Sequence, residues 1–135
     1  MNKLLFFAPI LAIVLLSSCT NDDDDANDNL TQEEELANLN ALLAEIEDMA
    51  SSVPCTDDAD WSYTAYGDKA CGGPVGYIAY PTTINTVQFL NKVVAHRNAQ
   101  EAFNQKWEVA SDCSLPAEPN AVRCEGGVPV FDYGQ

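Results

Sequence analysis

Apolar residues follow a helical spacing in two stretches of the chain. In residues 31–53 they recur every three or four positions, at Leu36, Leu39, Leu43, Ile46, Ala50 and Val53. Thr31 and Glu34 have the spacing of a capping box at its start, and Pro54 marks its end. The pattern predicts an amphipathic helix whose stripe must be covered. The domain is the expected cover; a second copy of the helix is the alternative, which would allow weak self-association.

The second stretch runs from Asn85 to Trp107 and is expected to form the central helix, with Asn85 as its cap. Two apolar stripes lie along it: Ile84, Val87, Leu90 and Val94 form one, and Phe89, Val93, Phe103 and Trp107 form the other. His96, the only histidine, falls on the second stripe. No cysteine or carboxylate lies three or four residues after it, so we interpret it as a residue at the edge of the apolar face and not as a general base or metal ligand.

The remaining pattern is typical of short strands. Residues 61–66 alternate large and small β-favouring side chains, and residues 77–80 are a short aromatic run. Residues 121–124 and 128–133 flank a Gly-Gly pair that suits a tight hairpin. The sequence therefore predicts a small α+β domain with an N-terminal amphipathic helix, a central helix and a short antiparallel sheet.

The charge distribution excludes one class of partner. The chain has 135 residues with 21 acidic and 6 basic side chains, and its formal net charge is -15. Residues 22–60 contain no base at all. Such a surface repels phosphates, so no nucleic acid is expected as a partner, whereas a cationic macromolecule remains open.

The N-terminal residues indicate a targeting signal. An apolar run over residues 4–16 follows Lys3 and is too short to span a bilayer. It ends in Leu16-Ser17-Ser18-Cys19, which resembles the lipobox of bacterial lipoproteins. The resemblance implies that residues 1–18 are a signal peptide and that Cys19 becomes the acylated membrane anchor, carrying chains such as palmitate. The alternative is an ordinary secretory signal with an incidental cysteine.

An acidic stretch over residues 19–30 follows, and its composition predicts a disordered tether. Cys19 followed by an aspartate run resembles the export signal of surface-exposed lipoproteins in the Bacteroidota. The resemblance implies a lipid anchor in the outer membrane with the domain at the cell surface, and the periplasmic face is the alternative. A plain spacer and a loose calcium-collecting cluster are the other interpretations of the aspartates.

Four cysteines remain for the domain over residues 54–135, and an even number in an exported domain predicts two disulfides. They are Cys55, Cys71, Cys113 and Cys124. Three connectivities are possible. An extended segment over residues 61–66 carries the chain about 20 Å away from Cys55, which favours Cys55 with Cys124 and Cys71 with Cys113. A zinc site is disfavoured because no pair has a C-x2-4-C spacing, and no metal is expected.

The C-terminal part also resembles small cysteine-containing exported proteins of unknown function from Gram-negative bacteria. The resemblance covers residues 61–135 and rests on Trp61, residues 70–77, Tyr80, Trp107, residues 111–113 and residues 122–126. It implies one small cross-linked domain on a lipid tether. It implies no activity, cofactor or catalytic residue.

Residue patterns for catalysis are weak. The carboxylates of residues 57–60 fail the calcium-loop pattern, because Tyr63 and Lys69 occupy its glycine and glutamate positions, so we expect them to solvate or cap a loop. Residues 72–76 lack the lysine and hydroxyl of a phosphate loop and predict a plain turn. His96 has no nucleophile partner in a recognisable motif.

The sequence thus favours a non-enzymatic binding or structural module of the cell envelope, with an unidentified macromolecular partner and no cofactor. A protease inhibitor is the first alternative, because Pro116 and Pro119 stiffen the loop between Cys113 and Cys124. Its contact residues would be Leu115 or Ala117. An enzyme built on carboxylates alone is the second alternative.

Overall fold

The computed structural model describes residues 30–134. The predicted signal peptide, Cys19 and all of the predicted tether except its last residue lie outside the described residues. Helix α1 spans Gln32–Ala50 and begins with the predicted capping box. Thr31 N–H donates to Glu34 Oε2 at 2.8 Å, and Glu34 N–H donates to the Thr31 hydroxyl oxygen at 3.3 Å.

The predicted end of this helix at Val53 is three residues too late. The Ser51 hydroxyl donates to the carbonyl of Glu47, and the Ser52 hydroxyl donates to the carbonyl of Met49, both at 2.8 Å. These side chains satisfy carbonyls that further helical turns would otherwise use, and the helix ends at Ala50.

Helix α2 spans Thr86–Lys106, and Asn85 Oδ1 accepts from Gln88 N–H at 3.1 Å as its cap. It runs opposite to α1, because Glu35 contacts Lys106 and Glu45 contacts Lys92. The second of its two apolar stripes is covered, with Phe89 fully buried.

In the first stripe of α2, only Ile84 packs against the core formed by the described residues. Val87 is 69% exposed, and Leu90 and Val94 are exposed as well. Helix α2 is therefore not enclosed on all sides as a central helix would be. A domain of this length lacks the elements to cover both faces of one helix.

Four strands form two hairpins. Strands β1 (Trp61–Tyr66) and β2 (Gly76–Pro81) pair antiparallel from Trp61 opposite Pro81 to Tyr66 opposite Gly76. Strands β3 (Ala121–Glu125) and β4 (Val128–Asp132) pair across Gly126-Gly127, whose φ values of 60° and 86° suit a two-residue turn. The structure thus has two two-stranded sheets where one sheet was predicted, and the α+β class is confirmed.

The core consists of two clusters. The first joins the helices to β2 and contains Ile46, Ala50, Tyr80, Phe89 and Val93. The second joins the two hairpins and contains Cys55, Trp61 and Val122. Cover of the α1 stripe by the domain is confirmed for Leu39, Ile46 and Ala50, which are buried.

Candidate functional site

The favoured disulfide connectivity is confirmed. Cys55 pairs with Cys124 and Cys71 pairs with Cys113, with Cα–Cα distances of 5.1 and 5.4 Å. Cys55 is only 2% exposed, whereas Cys71 and Cys113 are both exposed. The two bridges therefore support different parts of the surface.

The buried bridge supports an apolar cleft between the end of α1, strand β2 and strand β4. The cleft has a volume of about 550 Å³. Its wall includes Val53, Trp61, Tyr77, Ile78, Val128 and Phe131, and Glu47 lies at its α1 side. We call it the hairpin cleft.

Local contacts fix the wall of the hairpin cleft. The Cys55 N–H donates to the Gly127 carbonyl at 2.9 Å, which ties the β3–β4 turn to the chain leaving α1. The Cys124 N–H donates to Asp58 Oδ1 at 2.7 Å. Asp57 caps a short 3-10 turn by accepting from Ala59 N–H at 3.0 Å. The expectation that these aspartates cap a loop is therefore confirmed.

The charges around the cleft are unbalanced. Residues 30–134 contain sixteen acidic and five basic side chains. Four of the five bases already pair with carboxylates, in the pairs Lys69–Asp112, Lys92–Glu45, Lys106–Glu35 and Arg123–Asp132. Burial and the nearby Glu118 carboxylate both raise the pKa of Tyr77 in the cleft wall. Two carboxylates, Glu47 in the lining and Glu118 near Tyr77, thus lie at the apolar cleft.

The exposed bridge supports a second feature, a loop over residues 111–119 that we call the pinned loop. The Lys69 ammonium donates to Asp112 Oδ1 at 2.7 Å and to the Ser114 carbonyl at 2.5 Å. Hydrogen bonds from Lys69 and then from Ser114 lower the pKa of Asp112 to about 2. Pro119, at the other end of the loop, is fully buried.

Leu115 is the exposed apolar residue of the pinned loop, at 65% exposure. It rests on Gly73, where an added Cβ would lie 2.6 Å from Leu115 Cδ2. Gly73 belongs to the segment for which we predicted a plain turn, and Gly72 N–H and Lys69 N–H close that turn through backbone hydrogen bonds. The loop is therefore held at Cys113, at Ser114 and at its end, with Leu115 as its large apolar side chain presented to solvent.

His96 was interpreted as lying at the edge of the apolar face, and this is wrong. It is 3% exposed and lies on the covered stripe of α2. Burial lowers its pKa, because the imidazolium would lose its hydration. The sequence pattern placed His96 on the correct stripe but assigned it to the edge of the apolar face instead of its buried part.

The sequence analysis missed a buried carboxylate. Glu35, in the first turn of α1, is buried and accepts from Trp107 Nε1 at 2.8 Å and from the Lys106 ammonium. The bonds from Lys106 and then Trp107 lower its pKa. Glu35 and Trp107 are far apart in sequence, so only the i+4 spacing from Glu35 to Leu39 could have indicated that Glu35 faces the core.

Within residues 30–134, no three histidine, cysteine or acidic side chains are grouped to hold a metal ion. No helix in the same range is long and apolar enough to cross a membrane. No protein family matches the chain, and neither a curated protein nor a solved structure has significant similarity to it.

Proposed function

We propose that the protein is a non-enzymatic lipoprotein of the bacterial outer membrane that binds a partner protein at the cell surface through the hairpin cleft. The lipobox-like residues 16–19 and the aspartate run support the anchor. The cleft supports the binding role, because monomeric proteins seldom expose a concave apolar surface without a ligand.

The best-fitting occupant is an extended segment of a partner protein that carries both apolar and basic side chains. Strands β2 and β4 both line the cleft, and in the described residues each pairs with one other strand only. Each therefore keeps an edge at which an extended segment can bind. Apolar side chains of the segment would enter the cleft, and its basic residues would meet the carboxylates of Glu47 and Glu118. The combination of the apolar cleft with the Glu47 and Glu118 carboxylates at it carries the proposal.

A peptide titration with the full chain tests this binding mode. The probes are synthetic peptides of about ten residues that alternate valine with lysine, and matched peptides that alternate valine with glutamate. Only the lysine series should bind. Glu47→Gln should weaken that binding, Val128→Asp should abolish it, and Glu33→Gln at the distant start of α1 should leave it unchanged. Equal binding of both series, or unchanged binding by Val128→Asp, would reject the cleft as the site.

The anchor has a separate test. The native host is fed an alkyne-labelled fatty acid, and the wild-type chain is compared with Cys19→Ala. Label should appear only on the wild type. Protease treatment of intact cells then tests the outward orientation, since complete protection of the domain would place it on the periplasmic face.

The pinned loop favours a second candidate function, inhibition of a protease. Cys113 and the Ser114 carbonyl are fixed beside Leu115, and Pro116 follows it, so the exposed side chain is presented by a preorganised segment. Titration of serine and cysteine proteases with the full chain tests this role. Tight inhibition that is lost in Leu115→Ala or Ala117→Asp, and kept in Val128→Asp, would support it over the cleft. Absence of inhibition at micromolar concentration would reject it.

A further inference from the structure

A second cavity lies between α1 and α2 at the first half of α1, whereas the hairpin cleft lies at the end of that helix. It has a volume of about 250 Å³. Its wall includes Leu39, Leu43, Val75, Phe103 and Val109, together with the imidazole of His96. Leu36 also lines it and is 46% exposed, which places an opening of the cavity at the start of α1. We call it the imidazole cavity.

The imidazole in this wall lacks a partner. His96 Nδ1 is buried and makes no hydrogen bond with any of the described residues. A buried polar atom without a partner costs about 1 to 3 kcal/mol, so such atoms are normally paired with protein, water or a ligand. The low pKa that burial imposes keeps the ring neutral, with one nitrogen as a donor and the other as an acceptor.

Neighbouring amides of the same wall are engaged elsewhere. Gln100 Oε1 accepts from the Asp68 N–H at 2.9 Å, and Asn104 Nδ2 donates to the Asp68 carbonyl at 2.8 Å. Both side chains are thereby held toward the loop after β1. The wall thus combines apolar side chains with the imidazole, the Asn40 side chain and the second polar atom of each of these two amides.

The size and lining of the cavity select a class of ligand. An apolar cavity of about 150 Å³ is large enough for benzene, so this cavity has room for a substituted six-membered ring. A charged carboxylate would lose its hydration against a neutral imidazole. A small neutral molecule can contact the apolar side chains of the wall and also form a hydrogen bond with the imidazole.

We propose that the imidazole cavity binds a small neutral aromatic molecule bearing one hydroxyl group, which pairs with His96. This site is separate from the hairpin cleft and does not depend on the proposed partner protein. The ring of the ligand contacts Leu39, Leu43 and Phe103. The side chain of His96, reoriented about its Cβ–Cγ bond where necessary, exchanges a hydrogen bond with the hydroxyl.

The test compares 4-methylphenol with toluene, which has the same ring and methyl group but no hydroxyl. Both are titrated into the full chain by calorimetry and by amide NMR. We expect 4-methylphenol to bind about tenfold more tightly than toluene, the effect of one buried neutral hydrogen bond. His96→Phe should remove that preference, and Leu36→Trp, at the exposed opening, should weaken both ligands. Val87→Ala, on the uncovered face of α2, is the matched control.

Imidazole nitrogen NMR keeps the test decisive if His96→Phe does not fold. In the wild type, the ¹⁵N signals of His96 should shift with 4-methylphenol and not with toluene. Equal affinity for the two probes would overturn the proposal, as would no binding of either at millimolar concentration, the result expected if only water occupies the cavity. Amide shifts confined to the hairpin cleft would overturn it as well.

Discussion

The two disulfides close loops of comparable length but lie in opposite environments. Cys55 and Cys124 are 69 residues apart, and Cys71 and Cys113 are 42 apart. From loop-closure entropy, each bridge should contribute about 4 kcal/mol to the free energy of unfolding. The contributions of the two bridges should differ by less than about 0.5 kcal/mol. Yet Cys55 packs in the core with Trp61 and Val122, whereas Cys71 and Cys113 face solvent. The surroundings of the bridges, more than their loop lengths, distinguish the two ends of the molecule.

Each end is stabilised by the type of contact that its surroundings allow. At the hairpin end, the disulfide is part of an apolar cluster formed by the two hairpins and Val53. At the loop end, Lys69 holds the pinned loop through polar contacts to Asp112 and Ser114, independently of the bridge. Loss of the Cys55–Cys124 bridge should therefore unfold the hairpin end, whereas loss of the Cys71–Cys113 bridge should only loosen the pinned loop.

The largest expected effect comes from Cys55→Ala with Cys124→Ala. The pair should lose about 4 kcal/mol of loop-closure stabilisation and about 1 kcal/mol of packing in the second core cluster. That sum approaches the whole free energy of unfolding of a small domain, so the variant should be largely unfolded at 37 °C. Urea unfolding followed by tryptophan fluorescence measures it. If the free energy of unfolding falls no further than in Cys71→Ala with Cys113→Ala, the proposed difference between the two bridges is wrong.

The exposed bridge should be lost at a smaller cost. Cys71→Ala with Cys113→Ala should lower the free energy of unfolding by about 4 kcal/mol, the loop-closure value alone, because these exposed cysteines lose no buried packing. In the wild type under mild reductant, alkylation and mass spectrometry should find Cys71 and Cys113 labelled first. Labelling of all four cysteines at one rate would show that both ends open together.

The same contrast explains what the sequence could predict. The Thr31 capping box, the Gly-Gly hairpin turn and the order of the strands depend on neighbouring residues, and the structure contains all of them. The disulfide connectivity followed from chain geometry, because an extended β1 carries the chain away from Cys55. These features depend on local chemistry or on simple distance.

Features that depend on packing between distant elements could not be predicted. The two apolar stripes of α2 are equivalent in sequence, and only the position of α1 and β2 decides that Phe89 is buried while Val87 is exposed. Burial of Glu35 likewise requires Lys106 and Trp107 to reach it from the far end of α2. The hairpin cleft is assembled from three elements, none of which carries its signal alone.

Gly67→Ala tests how rigidly the residues at the loop end are packed. Gly67 has a φ of +72°, and an added Cβ would lie 2.8 Å from both Val75 Cβ and Gln100 Oε1. Backbone strain and the forced displacement of Val75 should together cost about 2 kcal/mol. Gly72→Ala is the matched control, because Gly72 has a φ of +86° and nothing within 4 Å of an added Cβ, so strain alone should cost about 1 kcal/mol. Equal losses in thermal unfolding would show that the contacts around Gly67 are not rigid.

The smallest expected effect on stability is the acid sensitivity of the pinned loop. The pKa of Asp112 is lowered from 3.8 to about 2, first by its bond from Lys69 and then by those from Ser114. Because the folded pKa lies below the unfolded value, the stabilisation is fully present above the unfolded pKa and is lost as the pH falls from about 4 toward about 2.

Carboxyl ¹³C NMR of Asp112 measures this directly. In the wild type the signal should titrate with a midpoint near the lowered pKa of about 2, and Lys69→Met should move the midpoint upward toward 3.8. Lys92→Met, which removes the ammonium paired with Glu45 on the helices, is the control and should leave the Asp112 midpoint unchanged. A midpoint that does not move in Lys69→Met would mean that Lys69 does not hold the loop. The exposed disulfide would then be its main restraint, and Cys71→Ala with Cys113→Ala should cost as much stability as the buried pair.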